Sequence, residues 1–496
     1  MRTRTAMALV AAAALAGCTV SPEHLSGEEM VAFTETNLKE VTAGQEPITG
    51  PVSLYEAMAR ALKYNLDFRV EQMNEALAMG NLDLKSWDML PKLVASSEWA
   101  RRSNEPGGRS QSLLTGIQSL EPSKSTEKTT LKADLAFSWS ILDFGLSYVR
   151  ALQAADKVLI ANERRRKVVN RIFEDVRTAF WRAASEQRLS AAMDRLERRV
   201  RRALANSRRL ARSGQTSPLT ALTYERELVG IKKQLQELGS ELKTAKMQLA
   251  ALMNVPPGTR FRLAVPKRRP SALRLKWDTR QMIRIALKNR PELREEAYRR
   301  RINEKEAQAA LLELLPGASL YTAFNVDAND FLYNNNWVSW GAKASWNLMK
   351  VFRYPLRKRQ VEARNEVLHA RALALTMTIM TQVCVSRVRY LYQRRILESA
   401  REYRDVQYRI LRQVRAAATT DAASEQTLIR EQMNTVLAAA RYDVAYADLQ
   451  NAIANVYATL GLDPYGGDVS IDMPVKALAE SLRRTWNRRN VTKGMI

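Results

Sequence analysis

The sequence predicts a mainly α-helical protein that also contributes strands to a membrane β-barrel. Three observations carry this: a secretory start ending on a cysteine, a unit that occurs twice about 207 residues apart, and strands alternating apolar and polar residues. Apolar residues make up 46% of the 496, enough for packed cores, and 19 glycines with 16 prolines exclude a collagen-like or low-complexity chain.

The chain opens with Arg2 and Arg4, followed by an apolar run from Ala6 to Ala16. That run is too short to span a bilayer as a helix but suits the core of a secretory signal. It ends Leu15-Ala16-Gly17-Cys18, which resembles a bacterial lipobox: small residues before the cut, then a thiol for lipid attachment. The expected arrangement is a signal peptide over residues 1–17, lipid (palmitate among it) on Cys18, and a lipid-anchored linker over 18–50. Thr19, where inner-membrane lipoproteins usually carry Asp, favours delivery to the outer membrane. An ordinary signal peptide with a chance cysteine is the alternative. Cys384, in an apolar helical stretch with Ile379, Val383 and Val388, reads as a small buried hydrophobe.

The repeat comes next. Ser138-Trp139-Ser140-Ile141-Leu142 recurs as Ser345-Trp346-Asn347-Leu348-Met349, and Val255-Pro256-Pro257 falls on Leu462-Asp463-Pro464 at the same offset. Ala61-Leu62-Lys63 and Leu90-Pro91 recur as Ala286-Leu287-Lys288 and Leu315-Pro316 at a larger offset, so the first unit holds a longer loop, within Ser103–Lys128. The units are 51–262 and 263–465, with a basic tail over 466–496 outside the repeat. Each reads helix, strand, loop, strand, long helix, turn, long helix.

In the strands, Leu131, Ala133, Leu135, Phe137 and Trp139 alternate with Lys132, Asp134, Ala136 and Ser138. Val338, Trp340, Ala342, Ala344, Trp346 and Leu348 alternate with Ser339, Gly341, Lys343, Ser345 and Asn347. A barrel strand needs about 9–11 tilted residues with alternate faces to lipid and lumen. Trp99, Trp139, Trp337, Trp340 and Trp346 all lie in or beside these strands, as a membrane-interface belt would place them. A soluble sheet core is the competing reading. Four strands cannot close a barrel with a lumen, so the barrel reading demands several chains.

Long helices are expected from Leu146 to Arg212 and back to about Asn254, then from Arg357 to about Ala416 and from Ser424 to Leu460. The turn between the first two lies at Ser213-Gly214-Gln215-Thr216-Ser217-Pro218, where glycine ends one helix and Ser-Pro starts another. Leu228, Ile231, Leu235, Leu238, Leu242 and Leu249 form a coiled-coil-like seam.

Charge narrows the function. Lys+Arg total 78 against 52 Asp+Glu, a formal +26 that calls for an anionic partner without naming it. Two histidines and two cysteines leave little for a metal site, and no nucleotide or hydrolase fingerprint is present. Arginines crowd at Arg164-Arg165-Arg166, Arg198-Arg199, Arg201-Arg202 and Arg208-Arg209. Adjacent arginines point different ways round a helix, so a solvated surface and a positively lined tunnel for anionic cargo both fit.

Taken together the residues resemble the TolC-like outer-membrane efflux proteins, over about residues 53–465. The likeness rests on the duplicated layout, the Ala57…Ala61-Leu62…Asn65 opening, Leu90-Pro91 and Leu142-Asp143-Phe144-Gly145. The Gly214…Ser217…Leu219 tip and the hairpin endings near 253–257 and 460–464 add to it. The resemblance implies a homotrimer with a twelve-stranded barrel continuing into a periplasmic α-helical tunnel. It also implies a periplasmic adaptor and an inner-membrane transporter as partners, outer-membrane lipid around the barrel, no cofactor, no metal and no catalysis. It makes Asp421 and Glu425 gate candidates, and Gly214, Thr216, Ser217 and Thr420 adaptor-contact candidates. The second unit departs from the pattern at Lys350–Pro355 and at Asp421, which stands where the first has Gly214. The competing functions are a basic helical nucleic-acid-binding protein, which a signal peptide argues against, and a soluble envelope structural protein. An envelope enzyme would need a paired-carboxylate cleft that the repeat does not build.

Overall fold

The computed structural model describes residues 22–213, 217–256, 258–265, 275, 277–420, 424–463 and 470–491. Ten helices and six strands follow in order among these residues. They are α1 Gly27–Glu40, α2 Leu54–Tyr64, α3 Leu66–Trp87, β1 Lys92–Arg101, β2 Gly107–Gly108, β3 Ser123–Lys124, β4 Thr129–Ser140, α4 Ile141–Arg212 and α5 Pro218–Leu252. The second half holds α6 Thr279–Asn289, α7 Pro291–Leu312, β5 Gly317–Asp327, β6 Asn336–Ser345, α8 Met349–Thr419, α9 Glu425–Thr459 and α10 Val475–Val491. From α2 to α9 the order repeats element for element, apart from the small β2–β3 hairpin, and α10 follows outside the repeat.

The repeat extends to single dihedral angles. Asn65 ends α2 and starts α3 at φ −66°, ψ 127°, and Arg290 does the same between α6 and α7 at φ −62°, ψ 126°. The Asn65 side chain caps its new helix by accepting from the Phe68 N–H, whereas Arg290 is followed by Pro291, whose missing N–H needs no cap. Asn254 and Gly461 end α5 and α9 in the left-handed region, at φ 56° and 68°. Only glycine serves at 461, because a Cβ there would lie 2.6 Å from the Asn289 carbonyl carbon.

Two cores hold the helices. The larger, at the level of α2, α6 and α10, gathers Phe180, Leu249, Met253, Met282, Val383, Leu449 and Leu460. The second lies lower, where Leu196, Val200, Leu228, Leu235, Ile429 and Met433 join α4, α5 and α9. The basic tail is an element of the first core. Val475, Leu478 and Leu482 are buried, Trp486 packs edge-on to Tyr457, and the Arg177 guanidinium sits 3.8 Å above the Trp486 ring. The segment before the repeat is tied to it, since the Glu46 carboxylate accepts the Val475 N–H at the start of α10.

Three expectations change. Cys384 is exposed, because Val383 occupies the core and one helical step turns its neighbour outward. Residues 350–355 continue the helix: α8 begins at Met349 and carries Pro355 inside it, at the cost of one backbone hydrogen bond. Trp337 does not share a face with the other four tryptophans.

The sheet separates Trp337 from them. Its order is β1-β4-β5-β6, all antiparallel. Register places Trp99 opposite Leu131, Trp139 opposite Leu320 and Trp340 opposite Thr322. Period-2 alternation then puts Leu93, Leu135, Phe137, Phe324 and Val338 on their face. The other face carries Ser96, Glu98, Lys132, Asp134, Asn325, Ser339 and Lys343, and Trp337, opposite Asn325, belongs to it.

Candidate functional site

Beneath the sheet, α3, α4, α7 and α8 stand side by side in a row, each packed on the next. Buried polar residues stitch the row. Asp156 on α4 accepts from Arg301 and Lys305 on α7, and Asn303 Nδ2 donates to the Val361 carbonyl of α8 at 3.0 Å. Glu306 of α7 lies between Arg150 of α4 and Arg357 of α8 and accepts from both. Burial pushes the Glu306 carboxyl up, but hydrogen bonds from Gln153 and Arg150 and the charges of Arg150 and Arg357 outweigh it and hold it below the usual glutamate range. Glu295, half-buried and bonded to Arg299 and Arg164, is lowered in the same way. In the larger core the sign reverses. Burial pushes Glu174, Asp175 and Asp448 up, and nearby arginines only partly offset it.

Toward the far end the two hairpins touch through α5 and α9. Gln426 Nε2 on α9 donates to Glu227 Oε2 on α5 at 2.6 Å, and Arg430 Nε lies 3.5 Å from Glu227 Oε1. Within the first hairpin Arg208 Nε donates to Glu225 at 2.6 Å, and within the second Gln407 donates to Glu431. Tyr224 is raised by its own burial and then by the charges of Glu425 and Glu227, which places Glu425 beside the first hairpin. Ser424 caps α9 by accepting the Thr427 N–H, and Thr420 closes α8 by donating to the Ala417 carbonyl. Ser217 is exposed and makes no side-chain cap for α5, whose first turn is set by Pro218 instead. Gly214, Thr216 and Asp421 lie outside the described residues, as do Cys18 and the signal segment 1–17. Glu227, Gln426 and Arg430 were not anticipated. No motif marks them, and only the meeting of two hairpins about 200 residues apart makes them a cluster.

Up in the sheet, Trp99 stands toward the far end of β1, while Trp139 and Trp346 stand at and just beyond the helix-side ends of β4 and β6, and Trp340 lies between. Eight residues separate the Trp99–Leu131 rung from Trp139, roughly 27 Å along the strand before tilt. A lipid-facing band about 25 Å tall flanked by aromatic girdles has this dimension. The opposite face is wired by polar contacts: Ser96 donates to Asp134, Lys132 lies 3.7 Å from Asp327, and Asn325 donates to Ser339 at 2.9 Å. Opposite Gly341, Tyr321 folds its ring into the space a Cβ would fill.

A helical row under a two-faced antiparallel sheet is an arrangement that known outer-membrane channel subunits share. Residues 57–255 match the model of the outer membrane efflux protein family. In fold the chain is similar to the Campylobacter jejuni CmeC outer membrane channel, at TM-score 0.64 and 12% identity, covering 94% of this chain and 98% of that one. It is similar also to the outer-membrane channel OprN (TM-score 0.62, 16% identity, 90% of this chain and 99% of that). The open state of the Neisseria gonorrhoeae MtrE outer membrane channel gives TM-score 0.60 at 12% identity, with 90% and 99% covered. A comparison with curated proteins gives no sequence match. The chain is similar in sequence to the outer membrane efflux protein family over residues 57–255, and in fold to these channels over nearly all its length.

Proposed function

We propose that three copies of this chain close a twelve-stranded barrel in the outer membrane, with their helices continuing as a periplasmic tunnel. The tunnel passively conducts solutes delivered by an inner-membrane transporter through a periplasmic adaptor. One observation carries the reading: the sheet has sorted faces, both open in the single chain, and two unpaired edges, β1 and β6. Four alternating strands leave those edges running in opposite directions, so β6 of one copy can pair antiparallel with β1 of the next. Leu373, Met377, Val385 and Val388 on α8 are more than half exposed and give the helices a matching apolar face for a neighbour.

Within this reading, 51–262 and 263–465 are the repeated units and Cys18 carries the lipid. Trp99, Trp139, Trp340 and Trp346 face the bilayer. Asp421 and Glu425 ring the closed tip, where three copies crowd carboxylates together. Gly214, Thr216, Ser217 and Thr420 present the tips to the adaptor, Ser217 with a hydroxyl its own helix leaves unused.

The test is conductance of the purified mature protein in a planar bilayer, beside the double variant Asp421→Ala, Glu425→Ala. Small wild-type currents that grow severalfold in the double variant are expected. Currents unaffected by the substitutions would remove the carboxylate gate. A folded oligomer that never conducts would remove the channel.

A further inference from the structure

The row of α3, α4, α7 and α8 encloses a hollow of about 880 Å³. Its walls include the first and last helices of the row, and only the concave side of a curved row brings those two onto one space. In a ring of three such rows the concave side is the lumen, so a role for this hollow in transport rests on the trimeric channel reading.

Two columns of cations line this hollow. Arg150, Lys157 and Arg164 come from α4, and Arg357, Arg364 and Arg371 from α8. Within each column the spacing is seven residues, which returns a side chain to the same face about 10.5 Å further along. The columns are copies of one another through the internal repeat, each member of the second following its counterpart at the offset that relates Trp139 to Trp346. They begin close below the strands, about 12–14 Å into each long helix.

The balance is one-sided. Arg299 also lines the hollow, against only two carboxylates, Glu71 and Glu306. Glu306 is shared between Arg150 and Arg357, and Arg164 is bonded to Glu295 at 3.0 Å. Lys157, Arg364 and Arg371 have no hydrogen bond or ion pair among the described residues. Cations about 10 Å apart are separated by little more than the ~8 Å screening length of physiological salt, so their fields merge into one positive zone. Guanidinium groups add paired N–H donors matched to phosphate, sulfate and carboxylate oxygens. A second hollow lower down, between α4, α8 and α9, repeats the sign with Arg195, Arg198, Arg199, Arg202 and Arg415 and no carboxylate in its lining.

We propose that the upper tunnel is an anion-selecting vestibule and that the cargo of this channel is a multivalent oxyanion. Lys157, Arg364 and Arg371 are its recognition residues. They can be replaced without stranding an acid, unlike Arg150 or Arg357.

The test compares the Asp421→Ala, Glu425→Ala protein with the same protein carrying Lys157→Gln, Arg364→Gln and Arg371→Gln, in bilayers under a tenfold KCl gradient. Inorganic tripolyphosphate binding to both detergent-purified trimers is measured in parallel by calorimetry. Expected is a reversal potential on the chloride side, a chloride-to-potassium permeability ratio at least threefold lower in the glutamine variant, and tripolyphosphate binding at least tenfold weaker. Potassium preference before the glutamine substitutions, or selectivity unmoved by them, overturns the vestibule and leaves the channel standing. If nothing conducts, the channel reading fails. Tripolyphosphate then decides the site alone: tenfold weakening keeps it, and equal or absent binding overturns it.

Discussion

In the larger core, Phe180, Leu249, Met253 and Leu460 are fully buried within one chain, whereas on the apolar face of the sheet Leu93, Trp99, Val338 and Trp340 keep well over half their surface open. Both sets are large and apolar, and both come from strictly patterned segments. The core closes on itself because α2, α6 and α10 cap the long helices from outside. Among the described residues nothing covers either face of the sheet, so in the proposed barrel its stability would come from lipid on one face and from neighbouring chains at its edges. On that reading the molecule joins a self-contained helical core to a sheet that its surroundings complete, and substitutions in the two regions should report through different assays.

The largest effect is expected in the core. Phe180→Ala should cost about 3–5 kcal/mol, seen as a lowered unfolding midpoint by helical circular dichroism whether or not the barrel is assembled. A midpoint that moved only in the assembled protein would contradict a self-contained core. In the sheet, Leu135→Arg on the apolar face should cost about 2–4 kcal/mol and reduce the membrane-assembled trimer, leaving helical content intact. Its neighbour Ala136→Arg, on the polar face, should assemble nearly as wild type. Equal damage from both would mean the two faces are not sorted by environment.

Charge sharpens the contrast. Glu306 and Glu295 titrate below their unfolded values, so their contribution is present at neutral pH and is lost as pH falls through those lowered values. Glu174 and Asp448 titrate above theirs, so they burden the fold at neutral pH and the burden lifts as pH falls through those raised values. Melting curves from neutral to acid pH should therefore fall less steeply in Glu306→Gln, and Asp448→Asn should be the more stable protein at neutral pH. The smallest effect is expected at α1, which buries no residue. Removing its capping box with Ser26→Ala should weaken that helix by about 1 kcal/mol and leave the global midpoint unchanged, as amide exchange confined to residues 27–40 would register.

Much of the fold was legible in the sequence, because its signals are periodic. The seam of α5 and the alternation of β4 survive as read, the alternation expected to run to Leu348 ends with β6 at Ser345, and the helix expected from Leu146 to Arg212 is continuous but starts earlier, at Ile141. The failures are non-periodic. Cys384 looked buried from its apolar neighbours, but a helix exposes residues one step from its core line. Trp337 was grouped with the belt by residue type, whereas register sends it to the polar face. The tail gave no repeat signal, yet Leu478 and Leu482 complete the main core. The candidate site was less readable still. Arginines were conspicuous as adjacent pairs, which scatter round a helix, while those lining the hollow recur every seventh residue in two segments far apart in sequence. The Glu227–Gln426 contact between the hairpins has no sequence signature at all.

The open edges of β1 and β6 also bear on inheritance. In the proposed ring every chain lends one edge to each neighbour, so one chain with a damaged edge spoils a barrel containing two sound ones. In a cell making sound and damaged chains equally and mixing them at random, roughly one ring in eight would be wholly sound. A proline in the outward-facing half of β1 or β6 should therefore act as a dominant poison of export, whereas a variant that prevents the helical core from folding should be recessive, its product removed before it meets a partner.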